Sequence, residues 1–123
     1  MTLDTNIIIA YIAGEDAVVN TILGYKRGGE ILIVPTVVET EVLAFSGWTG
    51  NQYAEVVQML TESFTSVSFD RAIAHIAADI RRATKLKFPD AAIAATALFT
   101  NTPVLTRNVR DFERVPGLDV VSV

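Results

Sequence analysis

The chain has 123 residues, half of them hydrophobic, with fourteen acidic and ten basic side chains, no cysteine and a single histidine, His75. Disulfides and thiolate metal centres are thereby excluded, as is a histidine-rich zinc site, and any bound metal must be held mainly by oxygen. The net charge of −4 is unevenly spread: residues 1–70 hold two basic and nine acidic side chains, a net −7, whereas residues 71–123 hold eight and five, a net +3.

Mean hydropathy is high at +0.38, yet no apolar run reaches the roughly 18 residues that a membrane span needs. A cytoplasmic protein without a signal peptide is expected, since the chain opens directly on an apparent strand and uses no cysteine. A small domain has limited interior, so part of the apolar excess is expected to be buried against another chain.

Short apolar stretches alternate with helical ones, and no repeat or linker interrupts them, which predicts one domain over residues 1–123. Residues 1–4 read as a very short strand. Helices follow over 5–13 and 16–27, stopped by Gly28 and Gly29. Residues 31–34 form a β-branched strand, and Pro35-Thr36 opens a helix to about Phe45. Gly47 and Gly50 mark a turn, 52–62 is helical, and 67–69 is a weak strand. Asp70 caps a helix through about Lys85, and 88–100 forms the next, with Pro89 in its first turn. A turn at 101–103 leads to a strand over 104–106, a helical turn over 109–114, a break at Pro116-Gly117 and a last strand over 118–121. Such alternation predicts an α/β fold, a short central parallel sheet flanked by helices. Its site should lie beyond the carboxyl ends of the strands.

Four carboxylates are candidates for it, Asp4, Glu41, Asp90 and Asp111, most of them where a strand is ending or a helix is starting. Gathered in one cleft, they would suit Mg²⁺ or Mn²⁺, and such ions assist phosphodiester cleavage. Each also has a structural role open to it. In Asp4-Thr5-Asn6 all three side chains can cap a helix. Thr36-x-x-Glu39 matches a capping box, which assigns Glu39 a structural job. Glu41 lies outside that box, at helical spacing from Val37, Val38, Ala44 and Phe45. A carboxylate on an apolar stripe needs a partner, either a metal ion or a basic side chain. Asp90 in a first helical turn favours the helix dipole by about 0.3–1 kcal/mol. The alanines after it would let that helix lie close to the sheet. Asn108 can cap with Asp111 three residues on, or both can face metals or their waters, with Thr106 orienting one of them.

Arg81, Arg82, Lys85 and Lys87 precede Asp90, and Arg107, Arg110 and Arg114 surround Asp111. These form local basic rims able to hold phosphates, or simply solvated helix faces. His75 reads as a helix residue that packs or bonds locally. Trp48 reads as a loop anchor, with base stacking as the alternative.

Taken in order, four segments carry a resemblance. They are Leu3-Asp4-Thr5-Asn6-Ile7-Ile8, Thr40-Glu41-Val42-Leu43, Pro89-Asp90-Ala91-Ala92-Ile93-Ala94-Ala95-Thr96-Ala97 and Leu105-Thr106-Arg107-Asn108-Val109-Arg110-Asp111-Phe112. The chain resembles the PIN-domain ribonucleases, particularly the VapC-like toxins of type II toxin–antitoxin pairs, over essentially its whole length. The resemblance implies a Rossmann-like PIN domain that cleaves RNA with metal-activated water. Asp4, Glu41 and Asp90 match the metal-site acids for Mg²⁺ or Mn²⁺, with Thr5, Asn6 and Thr106 in support. Many members carry an acid where this chain has Asn108, so either Asn108 or Asp111 completes the site, and one or two ions are compatible with it. The first strand is also unusually short. An antitoxin partner covering the groove and a homodimer are implied as well. RNA contacts are expected from Arg81, Arg82, Lys85, Lys87, Arg107 and Arg110.

Two other readings fit parts of the chain. A phosphatase of the haloacid-dehalogenase type would use Asp4 as nucleophile, but it wants a second acid where Asn6 stands. A catalytically silent PIN-like or receiver-like interaction domain would use the carboxylates only as caps.

Overall fold

A computed structural model describes residues 1–123. In chain order the elements are β1 (Thr2–Leu3), α1 (Thr5–Ile12), α2 (Asp16–Arg27), β2 (Ile33–Pro35), α3 (Thr36–Leu43) and α4 (Gly50–Ser63). They continue with β3 (Thr65–Val67), α5 (Arg71–Thr84), α6 (Phe88–Thr100), β4 (Val104–Thr106), α7 (Val109–Phe112) and β5 (Val120–Ser122). The strands form one sheet in the order β3-β2-β1-β4-β5. Every pairing is parallel, with Thr2 opposite both Ile33 and Val104, and Leu3 opposite Leu105. The chain steps outward from β1 through β2 to β3, then crosses back to build β4 and β5 on the other side of β1. The strand order therefore reverses between β1 and β4. A parallel sheet opens a crevice at such a reversal, at the carboxyl ends of its strands.

The three central strands are buried throughout. Leu3, Ile7, Ile8, Val18, Ile22, Val38, Val42, Ile73, Ile93, Leu105 and Phe112 are fully buried, each contributing about 1.5–3 kcal/mol of hydrophobic stabilisation. Helix α5 buries Ile73, Ala77, Ile80 and Thr84, the stripe expected of a surface helix. Its N-terminus is capped as the sequence predicts, with the Ile73 amide donating to Asp70 at 3.0 Å. Helix α6 differs: Ala91 through Ala97 are all buried, because it packs against α3, α5, β1, β2 and β4 at once. Alanine lets backbones approach closely on several sides, and this draws Asp90, in the first turn of α6, toward the strand ends.

Several boundaries differ from the sequence reading for identifiable reasons. Strand β2 begins at Ile33, because Ile31 is 65% exposed and its carbonyl instead accepts the N-terminal amino group at 2.9 Å. Strand β3 lies two residues earlier than expected. It is an edge strand whose Thr65 and Ser66 are exposed, so it lacks an apolar signature. Strand β5 likewise falls later, paired Val104 to Val120. The predicted capping box at Thr36 and Glu39 does not form. Pro35 occupies the cap position of α3, and the Thr36 hydroxyl accepts from the Phe69 amide at 3.1 Å. A capping box forms instead on α4, where Thr49 and Gln52 exchange bonds of 3.0 and 3.3 Å, so that helix starts before Gln52. Trp48 is a loop anchor: its indole N–H donates to the Val42 carbonyl at 2.8 Å, and its ring meets Phe45 edge-on at 4.9 Å.

Candidate active site

Asp4 follows β1 and caps α1, and it is only 5% exposed. The β1–β4 ladder runs one bond past the strand, from the Asp4 amide to the Leu105 carbonyl at 3.1 Å. This extension brings Asp4 beside Thr106, the last residue of β4. The Thr106 hydroxyl donates to Asp4 Oδ2 at 2.6 Å, and the Thr5 amide donates to Oδ1 at 2.7 Å. Both oxygens are thus held by donors from two elements, and the carboxylate has little freedom to rotate. The same Thr106 oxygen accepts from the Asn108 amide at 2.8 Å, so one hydroxyl joins Asp4 to the loop that enters α7.

The other expected residues gather around this point. The Thr5 hydroxyl donates to Glu41 Oε1 at 2.6 Å, joining α1 to α3. Glu41 is exposed, so its carboxylate is spared the burial cost that a stripe position suggested, and the Thr5 hydroxyl is its partner within the chain. Asn108 occupies the cap position of α7 without a side-chain capping bond. Its amide Nδ2 instead donates to Asp111 Oδ2 at 2.8 Å, so the two residues act as a pair. Asp90 makes no hydrogen bond or ion pair through its side chain. Asn6 is exposed and likewise unbonded, and His75 is exposed on α5, away from this cluster.

Electrostatics show that the four acids share one field. Burial pushes the Asp4 carboxyl above its ordinary value; the Thr106 and Thr5 donors pull it back, and the Glu41 charge raises it further. Burial likewise raises Asp90, followed in order by the charges of Asp4, Asp111 and Glu41, while Lys87 opposes them. Asp4, Glu41 and Asp90 have no ion-pair partner, and Asp111 has only Arg114 at 3.8 Å. Nowhere in the chain do three such side chains stand close enough to form a ready-made metal cage. A Mg²⁺-type ion does not require one, because it keeps several waters and takes one or two carboxylates. Hard oxygen donors carrying uncompensated negative charge fit such an ion.

The basic residues divide. Lys85, Lys87 and Arg114 line a cleft of about 410 Å³ together with Leu86, Asp90, Asn108 and Asp111. Arg81, Arg82, Arg107 and Arg110 do not line it. Arg107 is bound to Glu15 at the turn between α1 and α2, and Arg81 Nε donates to the Leu86 carbonyl at 3.2 Å. Arg114 is a cleft residue that sequence reasoning left out of the RNA contacts. Its distance along the chain from Lys85 and Lys87 gave no sign that they share a wall.

The raised Asp90 carboxyl has a stability consequence. In the folded protein its charged form is penalised, so the penalty is absent below the ordinary value of 3.8 and grows as pH rises through the raised one. In metal-free buffer at pH 7, Asp90→Asn therefore raises the melting temperature, and the gain disappears near pH 3. A melting temperature lowered at pH 7, or a gain independent of pH, contradicts the assignment.

The sequence pattern of the PIN domain family matches residues 1–118. A curated Ribonuclease VapC from Rickettsia bellii (strain RML369-C) is 53% identical over 34 residues, or 28% of this chain and 25% of that protein. The match therefore spans about a quarter of the length of that relative. Among solved structures, a toxin–antitoxin complex from Klebsiella pneumoniae is similar at 28% identity and a TM-score of 0.83, covering 98% of this chain and 94% of that one. VapBC2 from Rickettsia felis bound to a DNA fragment from their promoter shares the fold at 18% identity and a TM-score of 0.86, covering 99% and 97%. DNA-bound VapBC from Salmonella typhimurium does so at 21% and 0.84, covering 98% and 96%. With its acids at the reversal point of a five-stranded parallel sheet, and the family pattern running through nearly all of its length, this chain belongs to the PIN domain family.

Proposed function

We propose that this chain is a divalent-metal-dependent endoribonuclease, acting as the toxin of a type II toxin–antitoxin pair. One observation carries the reading. A buried, doubly hydrogen-bonded Asp4 shares a field with Asp90, Glu41 and Asp111, and the first three have no ion-pair partner. Asp4 and Asp90 would hold Mg²⁺ or Mn²⁺, with Glu41 ligating it or orienting water. Bound there, such an ion supplies an acidified water and neutralises charge building on the phosphate.

The remaining roles follow from the side chains themselves. Thr106 and Thr5 hold both Asp4 oxygens, so the carboxylate keeps one orientation beside Asp90 and Glu41. Thr5 also holds one Glu41 oxygen and leaves the other to accept from water. The fourth corner is the bonded pair of Asn108 and Asp111 rather than either alone. Asn6, exposed beside them, supports the rim by position only. Lys85 and Lys87 are the expected RNA contacts that line the cleft. A phosphatase using Asp4 as nucleophile is disfavoured, since Asn6 stands where that chemistry wants a second acid.

An antitoxin partner is supported by the similarity to solved toxin–antitoxin complexes. An apolar groove lined by Tyr11, Ile12, Val19, Val56 and Met59, with Glu55 at its edge, suits an apolar segment of such a partner. No single helix is long and apolar enough to cross a membrane, and a cytoplasmic RNA substrate accords with the cysteine-free composition. We also propose a homodimer, because Ile31, Phe45, Tyr53, Phe88 and Phe99 remain exposed on a small domain.

Incubated with RNA, the purified protein cleaves it in Mg²⁺ or Mn²⁺ and stops in EDTA. Asp4→Asn and Asp90→Asn each slow cleavage by about 100-fold or more, the scale of a lost transition-state contact. The product of a small reading frame adjacent to its gene suppresses the cleavage. Metal-independent cleavage, or full activity in both variants, overturns the reading; an intact RNA under all conditions favours the silent domain. Light scattering after size-exclusion chromatography is expected to give twice the chain mass of 13.3 kDa, and a monomer at high micromolar concentration contradicts the dimer.

A further inference from the structure

The cleft beside Asp90 is lined by both signs of charge: Asp90 and Asp111 with Asn108, and a basic wall of Lys85, Lys87 and Arg114. The two sets meet where Arg114 comes within 3.8 Å of Asp111. The basic wall is built on a pinned segment. Lys85 ends α5 in the left-handed conformation, with φ of 60°, which turns the chain sharply toward α6. Leu86 is 3% exposed and anchors the link, while Lys85 and Lys87 on either side of it are exposed. The Leu86 amide donates to the Thr84 hydroxyl at 3.2 Å, and the Leu86 carbonyl accepts from Arg81 at 3.2 Å. The Thr84 carbonyl accepts from the Arg114 guanidinium. Arg114 thus clamps the base of the segment and leaves its other amino group 3.8 Å from Asp111.

Neither lysine forms an ion pair, although two carboxylates line the same cleft. Two free ammonium groups and a guanidinium on a fixed backbone are arranged for an anion that enters between them. Arg107, the cation next to Thr106, is committed to Glu15 and contributes nothing to this wall.

We infer that Lys85, Lys87 and Arg114 form a subsite for the RNA phosphate next to the one being cleaved, so that the strand enters the cleft from the α5–α6 side. The inference rests on the ribonuclease reading for its substrate. The lysines act as point charges and Arg114 as a planar donor fork that also positions the segment. Its cationic wall offsets the repulsion that Asp4, Glu41 and Asp90 exert on a polyanion, and it does so at one end of the cleft only.

Fluorescence anisotropy with a labelled twelve-nucleotide uridine RNA tests this, using the full chain with Ca²⁺ as the divalent ion and the RNA verified intact afterwards. Lys85→Gln, Lys87→Gln and Arg114→Gln each weaken binding by about 3- to 10-fold and flatten the salt dependence by about 0.7 in log–log slope. Arg27→Gln and Arg71→Gln, exposed positions outside the cleft with the same change in net charge, alter it less than about twofold. Arg114→Lys separates charge from clamping, and retains more binding than Arg114→Gln at a matched melting temperature. Equal losses in the control variants, unchanged binding in both lysine variants, or displacement of the RNA by 1 mM inorganic phosphate overturn the subsite. If the wild type binds RNA through this wall yet never cleaves it, the nuclease reading fails and the subsite stands. If it cleaves and the two lysine variants bind and cleave as the wild type does, only the subsite fails.

Discussion

The hydroxyl of Thr106 donating to the carboxylate of Asp4 joins the two strands between which the sheet reverses its order. Strand β1 is two residues long, too short to fix Asp4 by itself. Its position comes from pairing with β2 on one side and β4 on the other, plus the amide of Asp4 bonded to Leu105 and the start of α1. Once β1 and β4 are in register, Thr106 meets Asp4 and Asn108 meets Thr106. The fourth corner of the site is then set by the bond from Asn108 to Asp111. Asp90 arrives separately, because an alanine-rich helix can lie against three strands of the sheet and two other helices at once.

This arrangement opposes stability locally. Buried carboxylates near one another raise each other's proton affinity, and burial adds to the effect on Asp4 and Asp90. A fold selected for stability alone would place a cation there, or remove an acid. Instead the chain supplies neutral donors: two to Asp4, one to Glu41 and one to Asp111. Neutral donors hold the acids in place and leave their charge uncancelled. Of the cations lining the cleft, Lys85 and Lys87 pair with no acid, and only Arg114 approaches one, Asp111 at 3.8 Å. Local rules of good packing are broken in one place and kept elsewhere, the signature of a functional site.

Sequence periodicity revealed the long helices and the alternation of the fold, because α5 carries the Asp70 cap and an apolar stripe, and α6 opens on Pro89 and runs through a buried alanine-rich stretch. The edge strands were harder to place. Thr65 and Ser66 in β3 face solvent, so no apolar pattern marks them, and register against β2 decides where the strand lies. Glu39 illustrates the limit of a local motif. The residues of a capping box are present, yet Pro35 takes the cap position and Thr36 bonds to Phe69, a partner 33 residues away. For the site, ordered motifs picked out Asp4, Glu41 and Asp90 and left Asn108 and Asp111 as alternatives. The structure makes those two a bonded pair. Arg107 looked free in the sequence and is held by Glu15, while the cleft position of Arg114 depends on a loop closure that no short pattern encodes.

The central claim is that the Asp4 and Asp90 carboxylates form a divalent-cation site whose repulsion the ion relieves. Isothermal titration calorimetry of the metal-free protein with Mn²⁺ measures this most directly. Saturable binding in the wild type, lost in Asp90→Asn and in Asp4→Asn while both variants stay folded, is the predicted result. No saturable binding in the wild type, or undiminished binding in both variants, would contradict it.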